Sequence, residues 1–253
     1  MDDFTFRGQA LELFGATAAF GDSMRIGAKI DRHEYELPGG GSVIIGEATY
    51  KTTARQVTIV PAPGVEPTPQ WRRRILSWLQ GGRGEMIVHN DPEVMRIAQF
   101  DTDGTWGTRG WPDGQIQLTM TLQPLAYAAR ETILAADTTD GVAQIMVSAP
   151  SALPMGVCAA ITCVSGTITD AEMDVGGKRL ALTGLSLAAG GVIHYDAGQT
   201  LCDAASLEVA GEDGYAYVSA WAQLTAAQGD TLSVTLTGGE GRVALLCRGR
   251  WPA

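Results

Sequence analysis

Turn signals recur at short intervals through the second half of this 253-residue chain. Each joins a glycine to another glycine or to an acidic residue, and they stand at Gly176–Gly177, Gly190–Gly191, Glu212–Gly214, Gly229–Asp230 and Gly238–Gly241. Short segments of alternating apolar and polar residues, such as Leu232 to Leu236, lie between them. Many short strands joined by regular turns are typical of a β-sandwich. We therefore predict a β-sandwich domain over residues 131–253.

The first half of the chain, residues 1–130, contains strand patterns and the one stretch that predicts a helix. Every second residue from Ile116 to Leu122 is large and apolar, which predicts a half-buried antiparallel strand. Thr68 can cap a helix N-terminus, Pro69 suits its first turn, and Gly81 can end it. We predict a mainly β protein whose N-terminal domain is β-rich with one α-helix at about residues 68–80. Residues 128–136 show no clear period and are interpreted as a connector.

The predicted helix has one apolar face and three consecutive arginines. Its large apolar side chains recur at the spacing of a single helical face and are Trp71, Ile75, Trp78 and Leu79. Arg72, Arg73 and Arg74 follow one another about 100° apart around the axis, so we expect all three to point outward. We name them as candidate contacts with an acidic neighbouring subunit. The alternative is an ordinary solvated face.

The net charge of −10 is shared unevenly between the two halves. Fifteen acidic and 13 basic residues precede Glu131, whereas 13 acidic and 5 basic residues lie from Glu131 onward. Binding to nucleic acid needs clustered Lys and Arg, so we expect no sequence-specific nucleic-acid binding. The longest mostly apolar run, Met155 to Val164, is about half the length that spans a bilayer. We therefore expect no membrane insertion.

Few residues are spaced as catalytic or metal-binding motifs require. The three histidines, His33, His89 and His194, occur in no metal-binding or triad spacing. Cys158 and Cys163 form one Cys-x4-Cys pair, which could contribute to a zinc site only with a second pair. Buried cysteines that act as small apolar side chains are the favoured interpretation. We predict that the protein is not an enzyme and needs no cofactor or metal.

The order of motifs along the chain resembles the distal tail proteins of long-tailed bacteriophages, the hub family at the end of the tail tube. The matching segments in the first half are Phe4–Gly8, Phe14–Gly15, Leu37–Ser42, Tyr50–Lys51, Ile75–Leu79, Asp91–Glu93 and Leu118–Pro124. The looser matches in the second half are Gly191–Asp196, Leu224, Gly229–Asp230 and Val243–Trp251.

This resemblance implies an N-terminal domain that closes into a homohexameric ring and a galectin-like or carbohydrate-binding-module-like sandwich that projects outward. The ring would stack between the tail tube protein and a tail-tip or tail-associated protein and would leave a channel for DNA. The tape measure and receptor-binding proteins are further candidate partners. Gly39 and Gly40, in the Leu37–Ser42 loop, join the three arginines as candidate subunit contacts. The implied location is the tail tip of the virion, assembled in the cytoplasm of the bacterial host.

An alternative hypothesis is a carbohydrate-binding adhesin that works through the C-terminal sandwich. Aromatic side chains stack on sugar rings, and Trp106 and Trp111 lie in a Gly-rich loop where contact with a glycan or another partner is plausible. Trp221 and Trp251 fall in strand patterns, where we expect them to pack in the core.

Overall fold

The computed structural model describes residues 3–20, 29–36, 42–102, 114–200 and 203–252. The chain divides into two compact units, which are residues 1–129 with 252–253, and residues 130–251. No helix within the described ranges is long and apolar enough to cross a membrane.

The first unit contains nine described strands and one described α-helix. The strands are β1 (Phe4–Phe6), β2 (Gln9–Ala10), β3 (Ala16–Phe20), β4 (Lys29–Glu36), β5 (Ser42–Lys51), β6 (Thr53–Pro61), β7 (Gly84–Val88), β8 (Asp91–Asp101) and β9 (Ile116–Ala128). The helices are α1 (Pro69–Leu79) and a short 3-10 helix, Leu11–Phe14.

Seven of these strands form an antiparallel sheet in the order β2-β1-β7-β8-β9-β6-β3. Strand β9, in the interior of the sheet, confirms the predicted alternation, because the four apolar residues from Ile116 to Leu122 are buried. Gln117, between them, is exposed. The buried side chains of β9 and β6 face the same core as β1, so one face of the sheet is apolar and receives the helix.

Helix α1 begins and ends close to the predicted residues. The hydroxyl of Thr68 accepts the backbone N–H of Trp71 at 3.1 Å, which caps the first turn. Gly82 has φ +83°, a backbone conformation that L side chains rarely adopt, and it turns the chain away after the helix. Ile75 and Leu79 are fully buried in the core of the first unit. The helix is therefore stabilised by docking of its apolar face.

Strands β4 and β5 form a separate two-stranded antiparallel sheet. The strands are 8 and 10 residues long and pair from Lys29 with Lys51 to Glu36 with Ser42. Among the described residues they form backbone ladders with no other strand. An isolated two-stranded hairpin is marginally stable in water, and β5 contacts β9 only to a limited extent, so a further surface would stabilise this hairpin.

The second unit is built from strands that wrap around a single core. They are β10 (Thr132–Asp137), β11 (Val142–Met146), β12 (Met155–Gly156), β13 (Cys158–Val175), β14 (Lys178–Ala188), β15 (Val192–Asp196), β16 (Ser206–Val209), β17 (Glu212–Asp213), β18 (Val218–Ala220), β19 (Thr225–Ala226) and β20 (Thr231–Cys247). A 3-10 helix spans Tyr215–Tyr217. The last described strand, β21 (Arg250–Pro252), is not part of the sandwich.

Two long strands, β13 and β20, belong to both layers of a sandwich. In one layer, the C-terminal half of β20 and the N-terminal half of β13 lie between β10 and β15, with β16 and β17 beyond. In the other layer, the opposite halves of β20 and β13 lie between β11 and β14, with β18 at the edge. Side chains such as Ile161 and Val243 from one layer and Met173 and Val234 from the other form one hydrophobic core.

The bend in β13 and β20 corrects one prediction. Gly238–Gly241 was predicted to be a turn between two short strands, but it lies inside β20, which runs for 17 residues. The pairing register with β13 shifts between Gly166 and Asp170, so the glycines mark a bulge. A Cβ on Gly239 would lie 2.7 Å from the carbonyl oxygen of Ser165. Glycine is needed there because the two backbones approach closely where the strands change layer.

The segment after residue 128 is a second correction. It was interpreted as a connector, but Thr132–Asp137 is strand β10 and pairs in register with Arg242–Cys247 of β20. Pairing with a long neighbour overrides the helix-forming local composition of this segment. The predicted fold class is confirmed, because the chain is mainly β, with α1 in the first unit and a β-sandwich in the second.

Candidate interaction surfaces

The three arginines of α1 do not share one environment. Arg73 and Arg74 are exposed, as predicted, whereas Arg72 is only 6% exposed. The expectation that all three point outward is therefore wrong for Arg72. Seven residues of helix return a side chain to within about 20° of its starting direction, so Arg72 lies on the same face as the buried Leu79. Arg73 and Arg74 remain the candidates for a subunit contact.

An aromatic cluster lies beneath α1 and holds both tryptophans of the helix. Its core is Phe4, Phe6, Phe14 and Trp78, and we call this group the Trp78 cluster. The indole N–H of Trp78 donates to the carbonyl oxygen of Phe6 at 3.3 Å, and that of Trp71 donates to the carbonyl oxygen of Phe14 at 2.8 Å. Both half-buried indoles thus satisfy their polar atom while they pack.

Two cations lie over rings of the Trp78 cluster. The guanidinium of Arg74 is 5.0 Å from the ring centre of Phe14, and that of Arg7 is 5.5 Å from the ring centre of Phe6. Arg7 also donates hydrogen bonds to the carbonyl oxygens of Gly81 and Arg83, the latter at 3.1 Å. This surface of the first unit is therefore positively charged. Our interpretation of the sequence had not singled out Arg7, although the Phe4–Gly8 motif contained it.

Four of the predicted contact residues lie outside the described residues. They are Gly39 and Gly40 in the Pro-Gly loop, and Trp106 and Trp111 in the Gly-rich loop. Their proposed roles stay predictions.

The three described cysteines of the second unit are buried thiols. Cys158, Cys163 and Cys247 are free and buried. Sγ of Cys158 lies 3.9 Å from Nε2 of His194, but burial and the nearby Asp196 carboxylate raise the pKa of Cys158 to about 12. A reactive thiol needs the opposite shift of its pKa. Among the described residues, no group of three or more His, Cys, Asp and Glu side chains could hold a metal ion.

An open pocket of about 490 Å³ lies where β13 and β20 bend. The Glu240 carboxylate lines it, accepting a hydrogen bond from the hydroxyl of Thr138 and another from the backbone N–H of Gly141 at 3.0 Å. Each carboxylate oxygen thus has a partner from the chain itself. Glu240 stabilises the bend, and we assign the pocket no ligand.

An exposed group of aromatic side chains lies at the edge of the sandwich. Tyr215, Tyr217 and Trp221 are 45%, 37% and 42% exposed, and we call them the aromatic platform. Trp221 was expected to pack in the core. That expectation is wrong, because Trp221 lies just beyond the short strand β18 and its side chain is exposed to solvent. Three large aromatic residues within seven positions, next to a Gly turn, were the signal that could have indicated a surface group.

Comparison with solved structures identifies the class of fold as that of phage tail hub proteins. The chain matches the crystal structure of the phage SPP1 Dit (gp 19.1) protein, described as a paradigm of the hub adsorption apparatus in phages that infect Gram-positive bacteria. The TM-score is 0.69 at 14% sequence identity, and the match covers 99% of each chain.

A second match is to the baseplate of phage P2 in its activated conformation with Ca. It has a TM-score of 0.51 at 8% identity and covers 96% of this chain and 98% of the other. The corresponding structure with Sr matches with the same values. No protein-family model and no curated protein sequence matches the chain. At these identities the likeness establishes the fold, and it confirms the resemblance to distal tail proteins at that level.

Proposed function

We propose that this protein is a structural hub of a long-tailed phage, located in the virion at the tail tip. The observation that carries this proposal is the extent of the match to the SPP1 hub protein, which covers 99% of both chains and so includes both compact units. A match over the whole chain favours a shared assembly role more than a match to one sandwich domain would, because β-sandwiches serve many functions.

The β4–β5 hairpin supports assembly into a ring, which we propose to be a homohexamer with a channel for DNA. This hairpin pairs with no other strand among the described residues, and it would gain a supporting surface from a neighbouring subunit. Head-to-tail contacts between identical subunits close into a ring when the rotation between them is a simple fraction of a circle.

The distribution of charge favours contacts between a positively charged surface and a negatively charged one. Arg7, Arg73 and Arg74 make the surface around α1 positive, whereas the sequence from Glu131 onward carries a net charge of −8 from 13 acidic and 5 basic residues. Complementary charge aligns subunits and excludes wrong registers. The proposed partners are other copies of this chain, the tail tube protein and a tail-tip or tail-associated protein, with the tape measure and receptor-binding proteins as further candidates.

The proposed role is structural and needs no catalysis or cofactor. Assembly in the cytoplasm of the bacterial host is part of the proposal. The adhesin hypothesis based on Trp106 and Trp111 stays a prediction, since both residues lie outside the described ranges.

Light scattering coupled to size-exclusion chromatography tests the ring directly. We expect a species of about six times the 26.6 kDa chain mass at high protein concentration. Replacing residues 30–50 with a short Gly-Ser linker should give a folded monomer, because the hairpin is the proposed contact. Met146→Ala is the matched control, since Met146 is 66% exposed on the sandwich and should leave the ring intact. A strict monomer, together with tail-tip images that show no ring of this chain, would contradict the proposal.

A further inference from the structure

The aromatic platform, Tyr215, Tyr217 and Trp221, has the composition of a ligand-binding surface. The rings of Tyr215 and Trp221 touch, with centroids 5.1 Å apart and planes inclined by 42°. Tyr217 lies two residues beyond Tyr215 on the same 3-10 helix and is also exposed. Grouped exposed aromatic side chains usually mark an interaction site, whereas single exposed apolar residues are common.

The Trp221 side of the platform is supported by a buried tyrosine, Tyr195. Tyr195 of β15 is fully buried, and its ring meets that of Trp221 edge to face at 5.9 Å. The Tyr195 hydroxyl donates to the carbonyl oxygen of Ala222 at 3.2 Å and accepts the backbone N–H of Leu224 at 2.8 Å. The chain immediately after Trp221 is therefore anchored to the core. A rigid aromatic side chain loses little conformational freedom when a ligand binds.

Tyr215 is fixed independently of Trp221. Its hydroxyl donates to the carbonyl oxygen of Ala205 at 3.1 Å, and its backbone N–H donates to Oδ1 of Asp213 at 3.0 Å. The ring of Tyr215 thus keeps its angle to Trp221 because both ends of the residue are bonded. The rings of Tyr215 and Trp221 are therefore held at a fixed mutual angle.

Acidic residues outnumber basic ones around the platform. Residues 195–241 contain seven acidic residues and no Lys, Arg or His, and the neighbouring strand β14 adds Lys178 and Arg179, of which Arg179 is paired with Glu172. Glu208 and Asp213 are exposed and lie opposite each other on β16 and β17, just before the platform. Carboxylates repel phosphate and sulfate groups but accept hydrogen bonds from hydroxyl groups. The surroundings therefore favour a neutral ligand rich in hydroxyls.

The size of the platform favours a sugar over a protein. A stable protein interface buries about 800 Å² on each partner. Within the described part of this edge, the exposed aromatic surface comes from three side chains within seven residues, and their neighbours Gly214, Ala216, Ala220 and Ala222 have little or no side chain. One or two pyranose rings need no more than this area. Their axial C–H groups carry partial positive charge and match the negative faces of aromatic rings.

We propose that the aromatic platform binds a neutral hexopyranose-containing glycan, which stacks on Trp221 and Tyr215 and donates hydroxyl hydrogen bonds to the adjacent carboxylates. This proposal uses neither Trp106 nor Trp111 and does not depend on the hub role or on the oligomeric state. Binding by one or two stacked rings would be weak for a single site and would gain strength from several copies in an assembly.

Saturation-transfer difference NMR on the full chain tests this site. The probes are lactose, maltotriose and triacetylchitotriose, with a hyaluronan tetrasaccharide as the anionic comparison. We expect saturation of the C–H protons of at least one neutral probe and none for the anionic probe. Trp221→Ala should reduce that signal at least fivefold, and Trp221→Phe should retain part of it. Ile133→Ala is the matched control, because Ile133 is 67% exposed on another strand and should leave the signal unchanged.

A melting curve for each variant separates loss of binding from loss of fold, and Tyr215→Ala provides a second test if Trp221→Ala unfolds. Absence of signal for every neutral probe, or an undiminished signal in folded Trp221→Ala, would overturn the proposal. So would stronger binding of the anionic probe. Loss of capture of a tail protein in Trp221→Ala, with all sugars silent in the parent protein, would also overturn it and indicate a protein partner.

Discussion

The ring of Trp78 stacks on the ring of Phe14, with centroids 4.5 Å apart and planes inclined by 17°. Trp78 also meets Phe4 and Phe6, so one side chain joins α1 to β1 and to the 3-10 helix. Trp78→Ala should lower the free energy of unfolding by about 3 kcal/mol, the lower part of the usual range for loss of a large aromatic side chain, because the indole is half-buried.

Urea unfolding followed by circular dichroism measures the effect of Trp78→Ala. Ser77→Ala is the control, since Ser77 is exposed on the same helix and should change stability by less than about 0.5 kcal/mol. Equal midpoints for the two variants would show that α1 is not held by the Trp78 cluster.

Gly141 and Gly176 separate two reasons why a position requires glycine, which are a positive φ and a close backbone neighbour. Both have positive φ, +75° and +59°, but a Cβ on Gly141 would lie 2.5 Å from the carbonyl oxygen of Leu236, whereas Gly176 has nothing within 4 Å. Gly176→Ala should cost about 1–2 kcal/mol from backbone strain alone. Gly141→Ala should cost more, since the Leu236 backbone must move. Calorimetric melting of both variants tests the order, and a smaller loss for Gly141→Ala would contradict the close approach.

The helix could be predicted from the sequence because its determinants are local. Thr68 and the glycines after the helix act through the backbone of their own neighbourhood, and the structure places the cap and the end where they were expected. The same helical geometry places Arg72 on the buried face, but its charge led to the prediction that it is exposed to solvent. A formal charge is a weak guide to burial for arginine, whose long apolar stem can pack.

The sandwich was predicted as a class but not in its connections. Consecutive glycines such as Gly238 and Gly239 are expected both where a chain reverses in a turn and where a strand bends. Only the pairing with β13 shows that this chain bends. Likewise, Thr132–Asp137 becomes a strand because β20 pairs with it. The aromatic platform was missed for a related reason, since exposure of Trp221 depends on β18 ending at Ala220 at the edge of the sheet. Long-range pairing, which a local pattern does not contain, determines all three.

The buried thiols should be protected from alkylation. Burial, followed by the charge of Asp196, raises the pKa of Cys158 from 9.0 to about 12, and burial raises that of Cys247 to about 11. At pH 8 the thiolate fraction of Cys158 falls on the order of a thousandfold relative to the unfolded chain. Iodoacetamide labelling, read by peptide mass spectrometry, should therefore be slow at both residues in buffer and fast in urea. Rapid labelling of folded protein would show that these side chains are accessible.

The same shift gives a dependence of stability on pH. Because the folded pKa of Cys158 is raised, the neutral thiol is favoured in the folded state, and its contribution is complete below pH 9. That contribution is lost as the pH rises from 9 to about 12, since the unfolded chain ionises first. Cys158→Ala should therefore flatten the decline in unfolding free energy across this range. An identical slope for the variant and the parent protein would exclude Cys158 as a contributor.

Arg73 offers the sharpest test of the charged surface around α1, and it rests on the proposed ring. Arg73 is exposed, and its Nε donates to the carbonyl oxygen of Pro69 at 3.3 Å, so its removal should not disturb the core. If Arg73 faces an acidic neighbour, Arg73→Glu should shift the concentration for ring assembly upward by about tenfold, or 1.4 kcal/mol. Sedimentation velocity over a range of concentrations measures this shift.

Arg73→Lys preserves the charge and should assemble like the parent protein. A shift of the same size in both variants would indicate lost packing, and no shift in either would remove Arg73 from the subunit contact.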